Sequence, residues 1–224
     1  MIRKFVVVAL SLAPSFALAD DLAEVDKPAP TFRLPVYNPK EFGEATVAID
    51  TYVGAEATDK KTKVLVVSFM ASFCQPCKKE MPYLQTLHEK YRDAGLRIMS
   101  VAIDSEADGQ KKVEELIAEN KVTYPVAKDR FNIVARRWLG NQSPLPSLFF
   151  VKPDGTVSSV HRGYSSDGAE VLAEELGKVL GVKVDRPVAV VEKPAEPAPV
   201  IDAGVPEPEK KPDAKTGKKP KKKK

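Results

Sequence analysis

The chain is 224 residues long, and 43% of these residues are hydrophobic, which suits one ordinary globular domain with extensions at its ends. Its formal net charge of +4 conceals an uneven distribution, because residues 210–224 hold nine lysines and one aspartate while the preceding body is acidic. The chain has two cysteines and two histidines, so the composition excludes a scaffold held together by several disulfides. A structural zinc site with four Cys or His ligands would need all four of these residues.

Residues 1–19 have the pattern of a signal peptide. Arg3 and Lys4 give a positive start, residues 5–13 are apolar, and residues 17–19 read Ala-Leu-Ala, which matches a cleavage site. An uncleaved membrane anchor, the alternative, requires a longer apolar run. We therefore expect an exported protein in the periplasm or cell envelope, and we expect no nucleic acid among its partners.

The folded domain is expected over residues 20–184, and it begins with a β-rich N-terminal extension. Residues 46–52 alternate between apolar and polar types as a strand does, and a polar turn follows over residues 58–63. Residues 64–67 then read Val-Leu-Val-Val. This β-branched apolar run predicts a strand that is buried on both faces.

The sequence Cys74-Gln75-Pro76-Cys77 follows the buried strand and opens a helix-forming segment. Two residues between the cysteines place them about one helical turn apart, so both sulfurs can meet in a short-loop disulfide. At a helix start, free N–H groups and the helix dipole favour negative charge, so the pattern predicts a stabilised Cys74 thiolate. Pro76 fits the first helical turn, where a missing N–H costs nothing.

Several side chains near this motif are predicted to face solvent. The run Lys78-Lys79-Glu80 is interpreted as a solvated face of the long helix, and His88 is expected to be exposed on the same helix. The sulfur of Cys74 is expected to be accessible, with Cys77 beneath it on the first turn.

Helices and strands alternate after the motif. The long helix is expected to run to about residue 94, where Gly95 ends it, and a buried strand covers residues 96–103. Asp104 or Ser105 is expected to cap the helix that follows.

The second half of the domain continues this alternation and ends with a hairpin. A short strand over residues 124–127 precedes a helical pattern in which Phe131 and Trp138 are expected in the core. The hairpin strands and the last helix are expected at residues 147–151, 156–161 and 167–180. This order of elements predicts an α/β domain with a mixed sheet between helical layers.

Residues 185–224 form a tail that is rich in Pro, Ala and Glu and then in Lys. Such a segment cannot bury enough apolar surface to offset its ordering entropy, so we expect it to be disordered. Its basic end is interpreted either as a solubilising extension or as an electrostatic tether to an anionic envelope surface.

The segment from the buried strand through the cysteine motif resembles the active-site segment of the thioredoxin superfamily. It is most similar to the exported thiol–disulfide oxidoreductases of the TlpA/ResA-like group. Besides the Cys-X-X-Cys motif, Pro82 lies five residues after Cys77, where these proteins carry a helix proline. Residues 145–151 resemble the family segment in which a cis proline, here Pro146, faces the cysteine pair.

The resemblance implies a thioredoxin-like fold, a central mixed β-sheet flanked by helices, and a redox-active Cys74–Cys77 disulfide with no organic cofactor or metal. It implies that Cys74 attacks, that Cys77 resolves, and that the Leu145 backbone beside Pro146 pairs with substrate. The implied activity is reductive, of the cytochrome c maturation type. The implied partners are protein thiols and disulfides and an upstream electron donor, for which the membrane is one candidate place.

The active-site neighbours in this sequence are Phe73, Gln75, Pro76 and Ser68, and two of them depart from the family pattern. Phe73, together with Met70, stands where many relatives have tryptophan. Ser68 stands six residues before the first cysteine, where thioredoxins carry a buried aspartate that is thought to move protons. A thioredoxin-type proton relay is therefore not expected in the same form.

Two other function classes stay open. A copper carrier would use the two thiolates and one distant histidine, His161, because soft thiolates suit Cu(I). A peroxiredoxin-like antioxidant would place a proline and a Ser or Thr at fixed offsets before its reactive cysteine. Ser68 and Ser72 precede Cys74, but no proline lies within reach.

Overall fold

The computed structural model describes residues 22–141, 144–165 and 167–185. Its first elements form an N-terminal extension, which consists of strand β1 (Arg33–Pro35), helix α1 (Pro39–Phe42), strand β2 (Thr46–Ala48) and a 3-10 turn (Ile49–Thr51). β1 and β2 pair antiparallel, so the predicted β-rich extension is a two-stranded sheet. The strand expected over residues 46–52 is shorter because the chain enters the 3-10 turn at Ile49.

A five-stranded mixed sheet forms the centre of the domain. Its strands are β3 (Val64–Met70), β4 (Leu96–Ala102), β5 (Val126–Lys128), β6 (Ser147–Val151) and β7 (Val157–Arg162). In space they follow the order β5-β4-β3-β6-β7, with β3, β4 and β5 parallel, β6 antiparallel to β3 and β7 antiparallel to β6. Ser68 lies opposite Leu148, and Leu148 lies opposite His161, so these three side chains share one face.

Helices cover both faces of this sheet. They are α2 (Gln75–Tyr91), extended by a 3-10 turn (Arg92–Ala94), α3 (Ala107–Glu119), α4 (Ile133–Leu139) and α5 (Gly168–Leu180). Gly95 ends the α2 region as expected, in a left-handed conformation with φ of 107° that glycine adopts without steric cost. The predicted thioredoxin-like architecture, a mixed sheet between helical layers, is confirmed.

Trp138 of α4 packs on the face opposite Ser68. Its ring lies 5.7 Å from that of Phe69 and 5.0 Å from that of Phe149, and Phe32 of the extension contacts it edge-on at 5.9 Å. Its Nε1 donates a hydrogen bond to the Pro30 carbonyl at 3.0 Å. The predicted core position of Trp138 is confirmed, and the same side chain fastens the extension to the domain.

Asn38 makes a second attachment of the extension. Its Nδ2 donates to the carbonyls of Val122 (3.2 Å) and Tyr124 (2.8 Å), and its Oδ1 accepts from the Val126 N–H at 3.1 Å. The side chain is buried, so these bonds are shielded from competing water. The nitrogen and the oxygen of the Asn38 amide therefore both hold the segment that leads into β5.

Phe131 is the clear exception among the predicted core positions. It is 69% exposed, because α4 begins only at Ile133 and Phe131 lies in the turn before it.

The predicted signal peptide lies outside the described residues, as does the predicted tail beyond Asp185. Among the described helices, none is both long enough and apolar enough to cross a lipid bilayer.

Candidate active site

The predicted site residues lie along one edge of the central sheet. Cys74 follows the C-terminal end of β3, and Asp104 follows the C-terminal end of the parallel strand β4. Pro146 directly precedes β6, which runs antiparallel to β3, so it arrives at the same edge. The structure therefore brings together the two sequence segments that were predicted to meet.

Cys74 and Cys77 form a disulfide at the first turn of α2. Their Cα atoms are 5.3 Å apart and the S–S distance is 2.10 Å. Cys74 is the N-cap residue, and its sulfur accepts the Cys77 N–H at 3.2 Å. Gln75 and Pro76 complete the turn, with the proline where no N–H is required. The first cysteine thus lies where the helix favours a thiolate after reduction.

The expected accessibility of Cys74 is wrong for this disulfide state. Cys74 is 1% exposed and Cys77 is 2% exposed, so both sulfurs are buried. The Cys74 sulfur is bonded to the Cys77 sulfur and accepts the Cys77 N–H. These two interactions turn the Cys74 side chain inward over the first helical turn. Phe73 is instead the exposed neighbour, at 52%, and it offers an apolar surface beside the disulfide.

A buried carboxylate holds the loop that leads into the motif. Asp104 accepts hydrogen bonds from the Ser72 backbone N–H at 3.0 Å and from the Ser72 hydroxyl at 2.6 Å, and both residues are buried. The expected capping by Asp104 or Ser105 is wrong, because Glu106 occupies the N-cap of α3 and makes no side-chain capping bond. Asp104 acts across the sheet edge instead, because the Ser72 loop offers it two donors.

The Leu145–Pro146 peptide bond is cis, as the resemblance predicts. The Pro146 carbonyl accepts the Gly163 N–H at 2.8 Å, and Leu145 is buried. Ser147 begins β6, and its hydroxyl donates to the Pro144 carbonyl at 2.6 Å. These bonds fix the proline turn at the sheet edge that carries the cysteines.

Glu80 is a site residue that the sequence interpretation missed. It was assigned to a solvated face, but it is only partly exposed, and its Oε2 accepts a hydrogen bond from the buried Ser68 hydroxyl at 3.2 Å. Burial raises the pKa of Glu80 from its ordinary value of 4.5 to about 7, against the smaller opposing effects of Ser68 and His161. Its position three residues after Cys77, on the same helix face, was the signal available in the sequence.

His88 is also less exposed than expected. It is partly buried on α2, its Nδ1 is enclosed, and its ring meets that of Tyr124 edge-on at 5.9 Å. Burial lowers the pKa of His88, with the nearby arginines Arg92 and Arg97 adding to the effect. A neutral ring therefore suits this position.

His161 lies on β7, as the predicted hairpin requires, and has a carboxylate partner. Its Nε2 is 2.7 Å from Glu175 Oε2 of α5, and the Ser159 hydroxyl donates to the other carboxyl oxygen. In the copper-carrier alternative this imidazole would bind the metal through Nδ1, or would have to release Glu175 to use Nε2. Within the described ranges, no group of three or more His, Cys, Asp or Glu side chains is arranged to hold a metal ion.

Comparison with known proteins places the chain among thiol-disulfide oxidoreductase relatives. Residues 25–160 match the family model of the AhpC/TSA family. The thiol-disulfide oxidoreductase ResA of Oceanobacillus iheyensis is 29% identical over 167 residues, which cover 72% of this chain and 80% of that protein. The ResA of Bacillus cereus is 27% identical over 185 residues, covering 80% of this chain and 95% of the relative.

Two solved structures illustrate the likeness in fold. The thioredoxin domain of a thiol-disulfide oxidoreductase from Bacteroides vulgatus has a TM-score of 0.52 at 20% identity, covering 70% of this chain and 98% of that chain. A thiol:disulfide interchange protein from Bacteroides sp. has a TM-score of 0.51 at 22% identity, covering 72% and 92%. The predicted resemblance to ResA-like thioredoxin-fold proteins is confirmed, and the family model spans well over half of the chain. This protein therefore belongs to the AhpC/TSA family.

Proposed function

We propose that this protein is a thiol–disulfide oxidoreductase whose reduced Cys74–Cys77 pair reduces protein disulfides outside the cytoplasm, in the manner of the cytochrome c maturation type. The observation that carries the proposal is the disulfide at the N-terminus of α2, at the same sheet edge as the cis Leu145–Pro146 turn. The similarity to thiol-disulfide oxidoreductases named ResA supports thiol–disulfide exchange as the activity.

The exchange consists of two displacement steps. The Cys74 thiolate attacks one sulfur of the substrate disulfide, and the other substrate sulfur leaves as a thiolate and takes a proton from solvent. Cys77 then loses its proton, attacks the Cys74 sulfur and expels the second substrate sulfur. The substrate gains two electrons, the enzyme pair is oxidised to the disulfide seen here, and an external dithiol reductant restores it.

Glu80 is the proposed acceptor of the Cys77 proton. It lies one helical turn beyond Cys77, and its raised pKa of about 7 lets the carboxyl both take up and release a proton near neutral pH. Thioredoxins use a carboxylate from the strand for this task, and here Ser68 occupies that strand position. The Ser68–Glu80 hydrogen bond brings a helix carboxyl to the same place.

Leu145 and Pro146 are proposed to position the substrate chain. The Leu145 backbone would pair with an extended segment of substrate, and the exposed Phe73 ring would contact apolar side chains next to the target cysteine. In the disulfide state the Cys74 sulfur is buried, so the external reductant must displace its cover before it can restore the dithiol.

Export to the periplasm or cell envelope, an upstream electron donor and contact of the lysine-rich tail with an anionic surface belong to the same proposal. The signal-peptide pattern of residues 1–19 supports export, and the nine lysines of residues 210–224 support the surface contact. The donor is required because each turnover leaves the enzyme pair oxidised.

Trapping with cysteine variants tests the exchange mechanism. Cys77→Ser is expected to accumulate disulfide adducts with its partners, because the second step is blocked, whereas Cys74→Ser should accumulate few. Non-reducing electrophoresis of cells that express each variant, with mass spectrometry of the adducts, measures this. Equal trapping by both variants, or by neither, contradicts the assigned roles.

An antioxidant peroxidase is a second candidate, and membership of the AhpC/TSA family is the observation that favours it. The two candidates differ in their oxidant. A reductase consumes its thiols on protein disulfides and reacts slowly with hydrogen peroxide, whereas a peroxidase forms Cys74 sulfenic acid rapidly. Rates of thiol loss with each oxidant, measured on the reduced protein, separate the two.

A further inference from the structure

Tyr124 carries a buried hydroxyl that no other side chain in the described part of the chain satisfies. The residue is 0% exposed, and its hydroxyl has no hydrogen-bond partner among the described residues. An unpaired buried hydroxyl destabilises the folded state, so its presence calls for an explanation. A phenylalanine would fill the same space without that cost.

This hydroxyl belongs to the polar groups beneath α2. The Tyr124 ring packs against His88, which lies eight residues, or about 12 Å, beyond Glu80 on the same helix. Burial raises the pKa of Tyr124, the neighbouring Ser100 hydroxyl offsets part of this rise, and the Glu80 carboxylate adds to it. Ser100 is the register partner of Ser68, which binds Glu80. Tyr124 therefore lies beneath α2, two residues before Val126, the register partner of Ser100.

Two sets of hydrogen bonds hold Tyr124 in this position. The Asn38 amide donates to the Tyr124 carbonyl at 2.8 Å, and the adjacent Thr123 N–H donates to Gln85 Oε1 of α2 at 2.9 Å. The Gln85 amide in turn donates to the Thr123 hydroxyl at 3.0 Å. The backbone at Tyr124 is thus fixed relative to α2 before any reaction takes place.

Glu80 has room for a second donor. Within the described residues its one side-chain hydrogen bond comes from Ser68, to Oε2. An ionised carboxylate accepts several hydrogen bonds, and each bond to the charged form favours that form. The Tyr124 phenol, which lies near the Ser100 hydroxyl but makes no hydrogen bond of normal geometry with it, is a suitable second donor.

We propose that Tyr124 is a positioning residue for the exchange reaction, whose hydroxyl donates a hydrogen bond to the Glu80 carboxylate when Glu80 is ionised. The bond keeps Glu80 able to accept the proton that Cys77 loses as its sulfur attacks the mixed disulfide. This inference rests on the proposed function, because it concerns the proton of the second displacement step.

Other groups that act on Glu80 come from each element packed around it. His161 on β7 lowers its pKa, and Glu175 of α5 is the direct partner of that histidine. Ser68 and Ser100 contribute neutral hydroxyls from β3 and β4. On α2 itself, Lys79 directly precedes Glu80, and Cys77 adds a titrating thiol once the disulfide is reduced. The Tyr83 hydroxyl, one turn further on, donates to the Asp185 carbonyl instead.

The Tyr124→Phe variant removes a single oxygen and tests the proposal directly. Reduced protein is mixed with the chromogenic disulfide dithiobis(nitrobenzoate), whose two thiolates leave in separate phases for Cys74 attack and Cys77 resolution. Tyr124→Phe should slow the second phase roughly three- to tenfold below neutral pH, with recovery in alkali, because the Glu80 pKa rises. The first phase should not change.

Two further variants separate this role from a structural one. Tyr83→Phe is the matched control, since its hydroxyl donates to the Asp185 carbonyl at the surface, and its pH profile should equal that of the wild type. In a Glu80→Gln background, Tyr124→Phe should have no further effect on the second phase. An unshifted profile in Tyr124→Phe, or an equal slowing in the Glu80→Gln background, overturns the proposal.

A direct titration keeps the test independent of the proposed function. Carboxyl-carbon NMR of Glu80 in the oxidised wild type and in Tyr124→Phe should show a higher midpoint in the variant. Identical midpoints overturn the inference even if exchange is normal. If the wild type shows no second phase, the proposed function fails, while the titration still decides whether Tyr124 acts on Glu80.

Discussion

Glu80 on α2 and Glu175 on α5 cover the same face of the sheet, and each accepts a hydrogen bond from a strand serine, Ser68 or Ser159. Their pKa values are nevertheless displaced in opposite directions. Burial raises the pKa of Glu80 to about 7. For Glu175 burial acts in the same sense, but hydrogen bonds from His161 and Ser159 outweigh it and lower the pKa.

The difference shows what a direct imidazole hydrogen-bond partner does to a partly buried carboxyl. His161 contacts Glu175 at 2.7 Å, whereas it acts on Glu80 only at a distance. A paired carboxylate stays ionised and serves the packing of α5 on β7. An unpaired one can change its charge near neutral pH, and Glu80 is the carboxyl that lies one turn from Cys77.

Glu80→Gln is expected to have the largest effect on stability. Because the folded-state pKa lies above the ordinary value, the folded protein keeps a proton that the unfolded chain releases, and the wild type loses stability as pH rises from 4.5 to about 7. Above this window the variant should be more stable by roughly 2–3 kcal/mol, and in more acid solution the gain should vanish. Urea unfolding of both oxidised proteins across this range measures it, and parallel pH curves would contradict the assignment.

Glu175→Gln should act in the opposite direction and less strongly. Its lowered folded-state pKa stabilises the protein above the ordinary carboxyl range, and this contribution is lost as pH falls through the folded-state value. At neutral pH the variant is expected to be less stable by about 1–2 kcal/mol, since the pair retains solvent contact. The same urea titrations test this, and a stabilised variant would remove the contrast with Glu80.

Ser68→Ala and Ser159→Ala are expected to have the smallest effects, about 0.5–1 kcal/mol each in unfolding free energy. Each substitution also changes the pKa of the carboxyl to which the serine donates, so the two variants compare Glu80 with Glu175 directly. Ser68→Ala should raise the Glu80 pKa further, because it removes a donor to the ionised form. Ser159→Ala should leave the Glu175 pKa below its ordinary value, because His161 remains. Carboxyl-carbon NMR titration reports both, and a Glu175 pKa above the ordinary value would show that His161 is not decisive.

The cysteine motif could be predicted because local sequence fixes its geometry, whereas the cis proline was predicted from the family resemblance. A Cys-X-X-Cys spacing at a helix start brings two sulfurs together whatever surrounds them. The apolar run of β3 and the turn at residues 153–155 likewise depend on short-range pattern. The predicted order of strands and helices follows from these signals, and the structure bears it out.

Glu80, Asp104 and Tyr124 escaped prediction because their roles depend on distant partners. Three charged residues in a row cannot share one face of a helix, since each step turns the side chain by about 100°. Lys79 and Glu80 therefore point in different directions, and only the position of the sheet decides which is buried. Asp104 resembles a helix cap until Ser72 is placed beside it, 32 residues earlier in the chain.

The three hydrogen bonds of Asn38 decide where the domain can be shortened. A fragment that starts at β3 would look like a complete thioredoxin-like core, yet it would leave two carbonyls and one N–H between Val122 and Val126 unpaired. Each lost hydrogen bond removes about 0.5–1.5 kcal/mol of stability, and Tyr124 lies in the loosened segment. A shortened version of the protein therefore has to begin upstream of β1. In chimaeras with relatives, the Asn38 turn and residues 122–126 should be exchanged together.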